Sequence, residues 1–280
     1  MTVTPDPELR LASTILLVRD APSGVEVFME RRHLESGFVG GAYVFPGGRV
    51  DPGDAFDPVR CAGLDEPNAS RRLGLTGGGL AHFVAAVREC FEEAGVLLAY
   101  DRTGALLDFG DPSVDAKYRR YRDDLNAGTL GLADIVSAED LRLATDRIGY
   151  WSHWITPVGE PRRYDTRFFV TEAPAGQIAG HDDWELTDSA WVSPAEAIER
   201  AVRREWMIIF PTLMNLRALA PHPTAAAAVA WASTQPIPLP ANQPKVYRGR
   251  VVLPGDDGYD VAESDLRRVD RDAFERLFVP

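Results

Sequence analysis

At 280 residues, 45% hydrophobic and 26% charged, the chain has the composition of a globular protein able to bury a sizeable core, as one large domain with additions or two small ones. Its formal net charge of −12 argues against a nucleic-acid-binding surface, which needs a basic stripe, and Arg pairs such as Arg31-Arg32 and Arg162-Arg163 are scattered. No signal peptide or transmembrane run is visible, and Cys61 and Cys90 do not make a disulfide framework, so no membrane association and a reducing cytoplasm are expected.

Residues 1–10 are polar and read as a loose arm. Residues 12–19 are an apolar β-like run, Pro22-Ser23-Gly24 is a turn and 25–31 alternates, which predicts a hairpin delivering Arg31 and Arg32 at its end. A short strand over 42–45 enters Pro46-Gly47-Gly48, where glycine lets the backbone turn tightly and approach a ligand. The stretch of about 55–80 offers a short helix around 67–73 and then Gly77-Gly78-Gly79. Without strong periodicity it reads as a surface excursion near the site mouth. A helix over about 80–94, stopped by Gly95, and a strand over 96–100 follow. His82, in the first turn of that helix, reads as a surface or packing residue.

Residues 114–147 look largely helical, with Ser137 before Glu139-Asp140 as an N-cap. Segments 150–155 and 164–170 predict a second hairpin, which puts Arg163, Asp165 and Arg167 on one strand face, either solvated or turned to a substrate. Residues 181–188 form an acidic loop, followed by a strand over 189–192 and a helix from 194 to about 203. Helices over 210–220 and 225–232 and an extended segment over 242–254 complete the pattern.

The helix over 80–94 separates into opposite faces at about 100° per residue. Glu89, Glu92 and Glu93, at i, i+3 and i+4, converge on one side, while Val84, Val87, Phe91 and Ala94 face a core. Ala85 and Ala86 flank the acids, where small side chains leave room for a ligand. Like charges this close repel, and a divalent cation with a taste for hard oxygen, Mg²⁺ or Mn²⁺, relieves that. Arg88 reaches Glu92 at i+4. A solvated acidic face is the alternative for such a pattern taken alone.

The run Arg88-Glu89-Cys90-Phe91-Glu92-Glu93-Ala94-Gly95-Val96 resembles the second half of the Nudix box, G-x5-E-x7-R-E-U-x-E-E-x-G-U, with Cys90 at the first aliphatic position U. The first half stands earlier, as Gly48, five residues and Asp54 in place of Glu. Between Asp54 and Arg88 lie 33 residues where the box allows seven, so an insertion interrupts it. That is similar to the Nudix subgroup typified by peroxisomal coenzyme A diphosphatase. The similarity spans roughly 12–260, and includes Arg163-Tyr164-Asp165-Thr166-Arg167-Phe168-Phe169 and Phe210-Pro211-Thr212-Leu213.

The resemblance implies a single domain with the Nudix α/β/α sandwich and mixed sheet. Its core would span about 10–205, with an insertion of about 55–80 inside the box and a helical C-terminal extension of about 206–280. It implies metal-dependent hydrolysis of a pyrophosphate bond in a nucleoside diphosphate linked to another moiety. Glu89, Glu92 and Glu93 would then hold Mg²⁺ or Mn²⁺ and Arg88 would orient them. Glu185, in the acidic loop, matches the position of an extra glutamate near the metals and is the candidate general base. Gly47 and Gly48 would seat helix and loop, and Arg32, Arg163 and Arg167 are the candidate substrate contacts. The leading small-molecule substrate is coenzyme A or an acyl derivative. Arg32, Gly41 and Phe45-Pro46-Gly47-Gly48 fit the coenzyme A signature of related enzymes, while His33 replaces its Ser and Gly37 its second Arg. ADP-ribose, NADH and dinucleoside polyphosphates stay open, as does a Nudix-fold nucleotide-binding regulatory module without turnover, against which the intact acidic triplet speaks. Leu277-Phe278-Val279-Pro280 is not a peroxisomal address, so the resemblance does not carry that location. A homodimer through the extension is also open.

Overall fold

The computed structural model describes residues 8–32, 40–180 and 186–265. Its strands are β1 (Leu9–Ala21), β2 (Gly24–Arg32), β3 (Tyr43–Val44), β4 (Gly47–Arg49), β5 (Ala99–Tyr100), β6 (Arg142–Leu143), β7 (Gly149–Ile155), β8 (Arg163–Glu172), β9 (Leu186–Val192), β10 (Ala241–Asn242), β11 (Lys245–Tyr247) and β12 (Arg250–Val252). Its helices are α1 (Glu66–Leu73), α2 (Gly79–Ala94), α3 (Pro112–Asn126), α4 (Leu132–Ala138), α5 (Pro194–Val202), α6 (Phe210–Leu219) and α7 (Ala225–Thr234).

The apolar run in β1 shows no alternation because both of its faces are covered. Ile15 and Leu17 enter one core with α1 and α2, and Leu16 and Val18 enter a second with α5, α6 and α7. The sheet is mixed. β8 runs parallel to β1 over Leu9↔Arg163 to Val18↔Glu172, β7 pairs antiparallel with β8, and β10 extends that edge beside β7. On its other side β1 forks: Val18 to Ala21 pairs with β2, while Ala12 to Thr14 pairs with β4. β3 lies beside the end of β2, which also carries β9, so β3 and β4 fill the gap opened by the fork. That wedge brings Gly47 and Gly48 to α2.

Both ends of α2 depend on groups from elsewhere in the chain. Gly78 at its N-cap offers no side chain. Glu66, at the start of α1, replaces it, accepting from Gly79 N at 3.0 Å through Oε1 and from Leu80 N at 3.0 Å through Oε2. Burial works against the Glu66 charge, but the Ser70 hydroxyl and these amides outweigh it and hold its carboxyl below the ordinary range. An anion at a helix N-terminus is also favoured by the macrodipole. A Cβ on Gly79 would fall 2.3 Å from Ser70 N, so the approach of α1 to α2 requires glycine there.

Several expectations change. The box insertion is not a surface excursion throughout: Cys61, Leu64, Ala69 and Leu73 are buried in the same core as α2. Ala85 and Ala86 are fully buried, so their small size serves helix-to-sheet packing and leaves no room for a ligand. Ser137 lies inside α4, which starts after Gly131, where Asp134 accepts the Gly131 amide at 2.8 Å. Leu132, Ile135 and Val136 bury the helical face that sets this start. The strand over 96–100 shortens to β5, because Val96 to Leu98 are buried in the core without strand partners. Cys61 and Cys90 are free and buried. Among the described residues no helix is long and apolar enough to cross a membrane.

Candidate active site

The last turns of α2 place Arg88, Glu89, Glu92 and Glu93 against the loop of β3 and β4. Arg88 sits at the centre. Its Nη1 donates to Glu89 Oε1 at 2.8 Å and Glu92 Oε2 at 2.7 Å, and its Nη2 donates to the Arg49 carbonyl at 2.8 Å. Asp54 receives Arg88 Nε at 2.8 Å and Nη2 at 3.1 Å, and accepts the Asp51 amide at 2.7 Å. Asp54 is fully buried. The aspartate at this box position therefore clamps Arg88. Burial works against the Arg88 charge, but the bonds to Asp54 and the charges of Glu89 and Glu92 outweigh it and raise its pKa.

Gly48 is what lets β4 meet the helix: a Cβ there would fall 2.5 Å from Glu89 Oε1. The Gly47 amide donates to Glu93 Oε2 at 2.6 Å. Glu93 also feels the charge of Glu30, a fully buried residue of β2. Burial, then the Glu30 carboxylate, push the Glu93 pKa well up, against the Gly47 amide and the nearby Arg32 charge. Glu89 is raised by burial and by the Glu93 charge, and Glu92 by burial against the pull of Arg88. Carboxyls pushed up by burial and by one another mark a place where a bound cation would be stabilising.

Glu30 escaped sequence reasoning. At the end of an alternating strand, before Arg31-Arg32, it reads as the polar terminus of the strand. The usable signal is its period: it lies two residues after Phe28, whose side chain joins the core under α2. Pairing on both sides, Glu30↔Val44 and Glu30↔Ser189, then buries it.

Arg32 is near enough for its charge to act on Glu93. Arg163 and Arg167 do not join the acidic cluster. Arg167 pairs with Ser13, two strands from β4, and is 3% exposed, bonded to Asp165. Asp165 also accepts from His153 Nε2 at 2.6 Å, and both partners hold its carboxyl down although burial opposes them. Arg167 is therefore not solvated: with Asp165 and His153 it makes a largely buried ion network. Arg163 Nε donates to the Thr156 carbonyl at 3.1 Å, across the connection between β7 and β8. His82, expected at the surface or against the insertion, is fully buried beside this network, with Nδ1 3.1 Å from Ser13 Oγ. It precedes Glu89 by seven residues, or about 10 Å of helix. Glu185 lies outside the described residues.

The donor chemistry suits a divalent cation: hard carboxylate oxygens, an excess of negative charge and a backbone loop close by. Among the described residues, no three His, Cys, Asp or Glu side chains converge tightly enough to hold an ion as they stand. The reason is visible, since Arg88 engages Glu89 and Glu92 while Glu93 is turned to Gly47 and Glu30.

A mixed sheet between helices, with a carboxylate-bearing helix seated on a Gly-Gly loop, defines a Nudix protein. In keeping with this, the chain is similar to the crystal structure of a NUDIX hydrolase from Alicyclobacillus acidocaldarius, with a TM-score of 0.64 and 27% sequence identity over 80% of this chain and 96% of that one. The family model of the NUDT19 Nudix domain matches residues 9–219. The chain is 31% identical over 259 residues to the acyl-coenzyme A diphosphatase NUDT19 of Gallus gallus, covering 74% of this chain and 67% of that protein. It is 30% identical over 233 residues to the Homo sapiens protein (70% and 61%) and 27% identical over 211 residues to the Xenopus laevis protein (63% and 55%). The chain belongs to the NUDT19 Nudix-domain family. Its matches span from 55% to 67% of the length of these curated relatives.

Proposed function

We propose that this protein is a divalent-metal-dependent pyrophosphohydrolase that cleaves coenzyme A or acyl-coenzyme A into adenosine 3′,5′-bisphosphate and (acyl-)phosphopantetheine. The observation that carries the reaction class is the array of Glu89, Glu92 and Glu93 on one helix face, with Arg88 bonded to the first two and the array seated on Gly47 and Gly48. The substrate rests on the relatives named acyl-coenzyme A diphosphatase, 31% and 30% identical.

Mg²⁺ or Mn²⁺, when bound, supplies the positive charge that an anionic pyrophosphate needs before water can attack it. Glu89, Glu92 and Glu93 are the residues that would hold it. Arg88 keeps Glu89 and Glu92 aligned on the helix and is itself held by Asp54, the outer-shell role on which ligand geometry depends. Arg32 brings a cation to the edge of the cluster, where an anionic substrate benefits from it. Glu185 is kept as the candidate for accepting the proton of the attacking water, on the strength of the resemblance.

We read the chain as one domain. Leu213, Leu216, Ala225 and Ala228 of α6 and α7 share a core with β1 and β2, and β10 adds to the sheet edge, which supports this reading. A reducing cytoplasm goes with two buried free cysteines.

Glu93→Gln tests the assignment. It is expected to reduce Mg²⁺-dependent turnover by at least about a hundredfold, the range seen when a metal's immediate surroundings are altered. Its melting temperature should stay close to that of the wild type, because Gln keeps an acceptor for the Gly47 amide. A fully active Glu93→Gln protein contradicts the assignment.

A further inference from the structure

We propose that Arg122 of α3 is a positioning residue for the acidic site: its guanidinium closes the negative end of α2, and the affinity of the site for a divalent cation depends on it. The inference rests on the metal-site reading above.

The sequence of α2 creates a problem at its own C-terminus. Glu89, Glu92 and Glu93 lie in its last turns, and no basic residue occupies the last turn. A helix C-terminus already carries the equivalent of roughly half a negative charge and leaves its last carbonyls without helical partners. Carboxylates gathered there strain the very segment that must hold them in register. Gly95, at φ 70°, turns the chain away and donates its amide to the Phe91 carbonyl at 3.0 Å. That closes only part of the end.

Arg122 meets the remainder. Its Nε donates to the Glu92 carbonyl at 2.8 Å, and its Nη2 donates to the Glu93 carbonyl and, at 3.1 Å, to the Gly180 carbonyl. Asn126, one turn further along α3, adds Nδ2 to the Glu92 carbonyl at 3.3 Å. Gly180 returns the tie by donating its amide to the Ala94 carbonyl at 2.9 Å. A Cβ on Gly95 would fall 3.0 Å from Arg122 Nη1, so the glycine both adopts the left-handed turn and clears space for the guanidinium. Arg122 therefore holds the backbone of two of the three candidate metal ligands, Glu92 and Glu93. It supplies a cation to the helix end, and its bonds to Glu92 and Glu93 go to their carbonyl oxygens and not to their carboxylates. A planar fork reaches several carbonyls at once, which a lysine ammonium on a flexible stem does less well.

The test is Mn²⁺ titration followed by electron paramagnetic resonance on the wild type, Arg122→Ala, Arg122→Lys and Asn126→Ala, each at a temperature where it is folded. Coenzyme A turnover is measured in parallel as a function of Mn²⁺ concentration. Arg122→Ala is expected to raise the Mn²⁺ dissociation constant about tenfold, the lower end of what outer-shell partners contribute. Arg122→Lys should recover part of the loss and Asn126→Ala should show a smaller one, and excess Mn²⁺ should restore much of the turnover. If Arg122→Ala does not fold, the other two variants decide the matter by the same titration. Variants that melt lower yet bind Mn²⁺ as the wild type does would make Arg122 a purely stabilising cap and overturn the proposal. A wild type that binds no Mn²⁺ would overturn the metal site itself, and this inference with it.

Discussion

Arg88 donates to Asp54, Glu89, Glu92 and a backbone carbonyl, so one guanidinium links the two halves of the split box. Its ion pair with Asp54 is nearly dry, with side-chain exposures of 12% and 1%. Losing Asp54 takes two charge-assisted hydrogen bonds from Arg88, each contributing about 1.5–3 kcal/mol, while Glu89 and Glu92 still balance its charge. Asp54→Ala should therefore destabilise the fold by about 3 kcal/mol in urea unfolding; a loss below about 0.5 kcal/mol would show that Arg88 is held without it. His82 carries a pH signature. Burial, and then the charge of Arg167, lower its pKa from 6.5 to about 4. The unfolded chain takes up a proton below pH 6.5 that the folded protein refuses until about pH 4, so His82 costs stability as the pH falls through that window. Between pH 7 and pH 5 the loss is on the order of 2 kcal/mol. Wild type and His82→Gln compared at both pH values should differ in their pH dependence by that amount; parallel curves would contradict the assignment.

Among the elements, α2 was the most legible, because the 3.6-residue period fixes which side chains share a face whatever the rest of the fold does. Its caps were not. Glu66 and Arg122 stand 13 residues before Gly79 and 29 residues after Glu93, and nothing in the local pattern marks either as a helix cap. The insertion was misread for a related reason. Its single short helix has too few apolar positions to show a period, yet Leu73 and Ala69 are buried against α2. Glu66→Ala removes the anion and acceptors at the α2 N-terminus and should cost about 1–2 kcal/mol. Thermal melts of that variant would check it, and an unchanged melting temperature would mean that the insertion does not support the helix. The alternation of Arg163, Asp165 and Arg167 was read correctly as one face of a strand. What covers that face was not encoded locally, because His153 comes from β7 and His82 from α2.

For the whole molecule, the two hairpins and most helices of the mixed-sheet fold followed from apolar patterning. The forked pairing of β1 with both β2 and β4 did not, since it depends on long-range register. That fork places Gly47 and Gly48 under Glu93 and Glu89, and it converts a sequence motif into a site. The most direct test of the proposed function is a turnover panel with Mg²⁺ or Mn²⁺ on coenzyme A, acetyl-coenzyme A, ADP-ribose, NADH and diadenosine polyphosphates, with products separated by chromatography and an EDTA control. Metal-dependent release of adenosine 3′,5′-bisphosphate from coenzyme A or its ester, in preference to the other substrates, is the predicted result. Turnover that persists in EDTA, or no cleavage of either coenzyme A substrate, would contradict it.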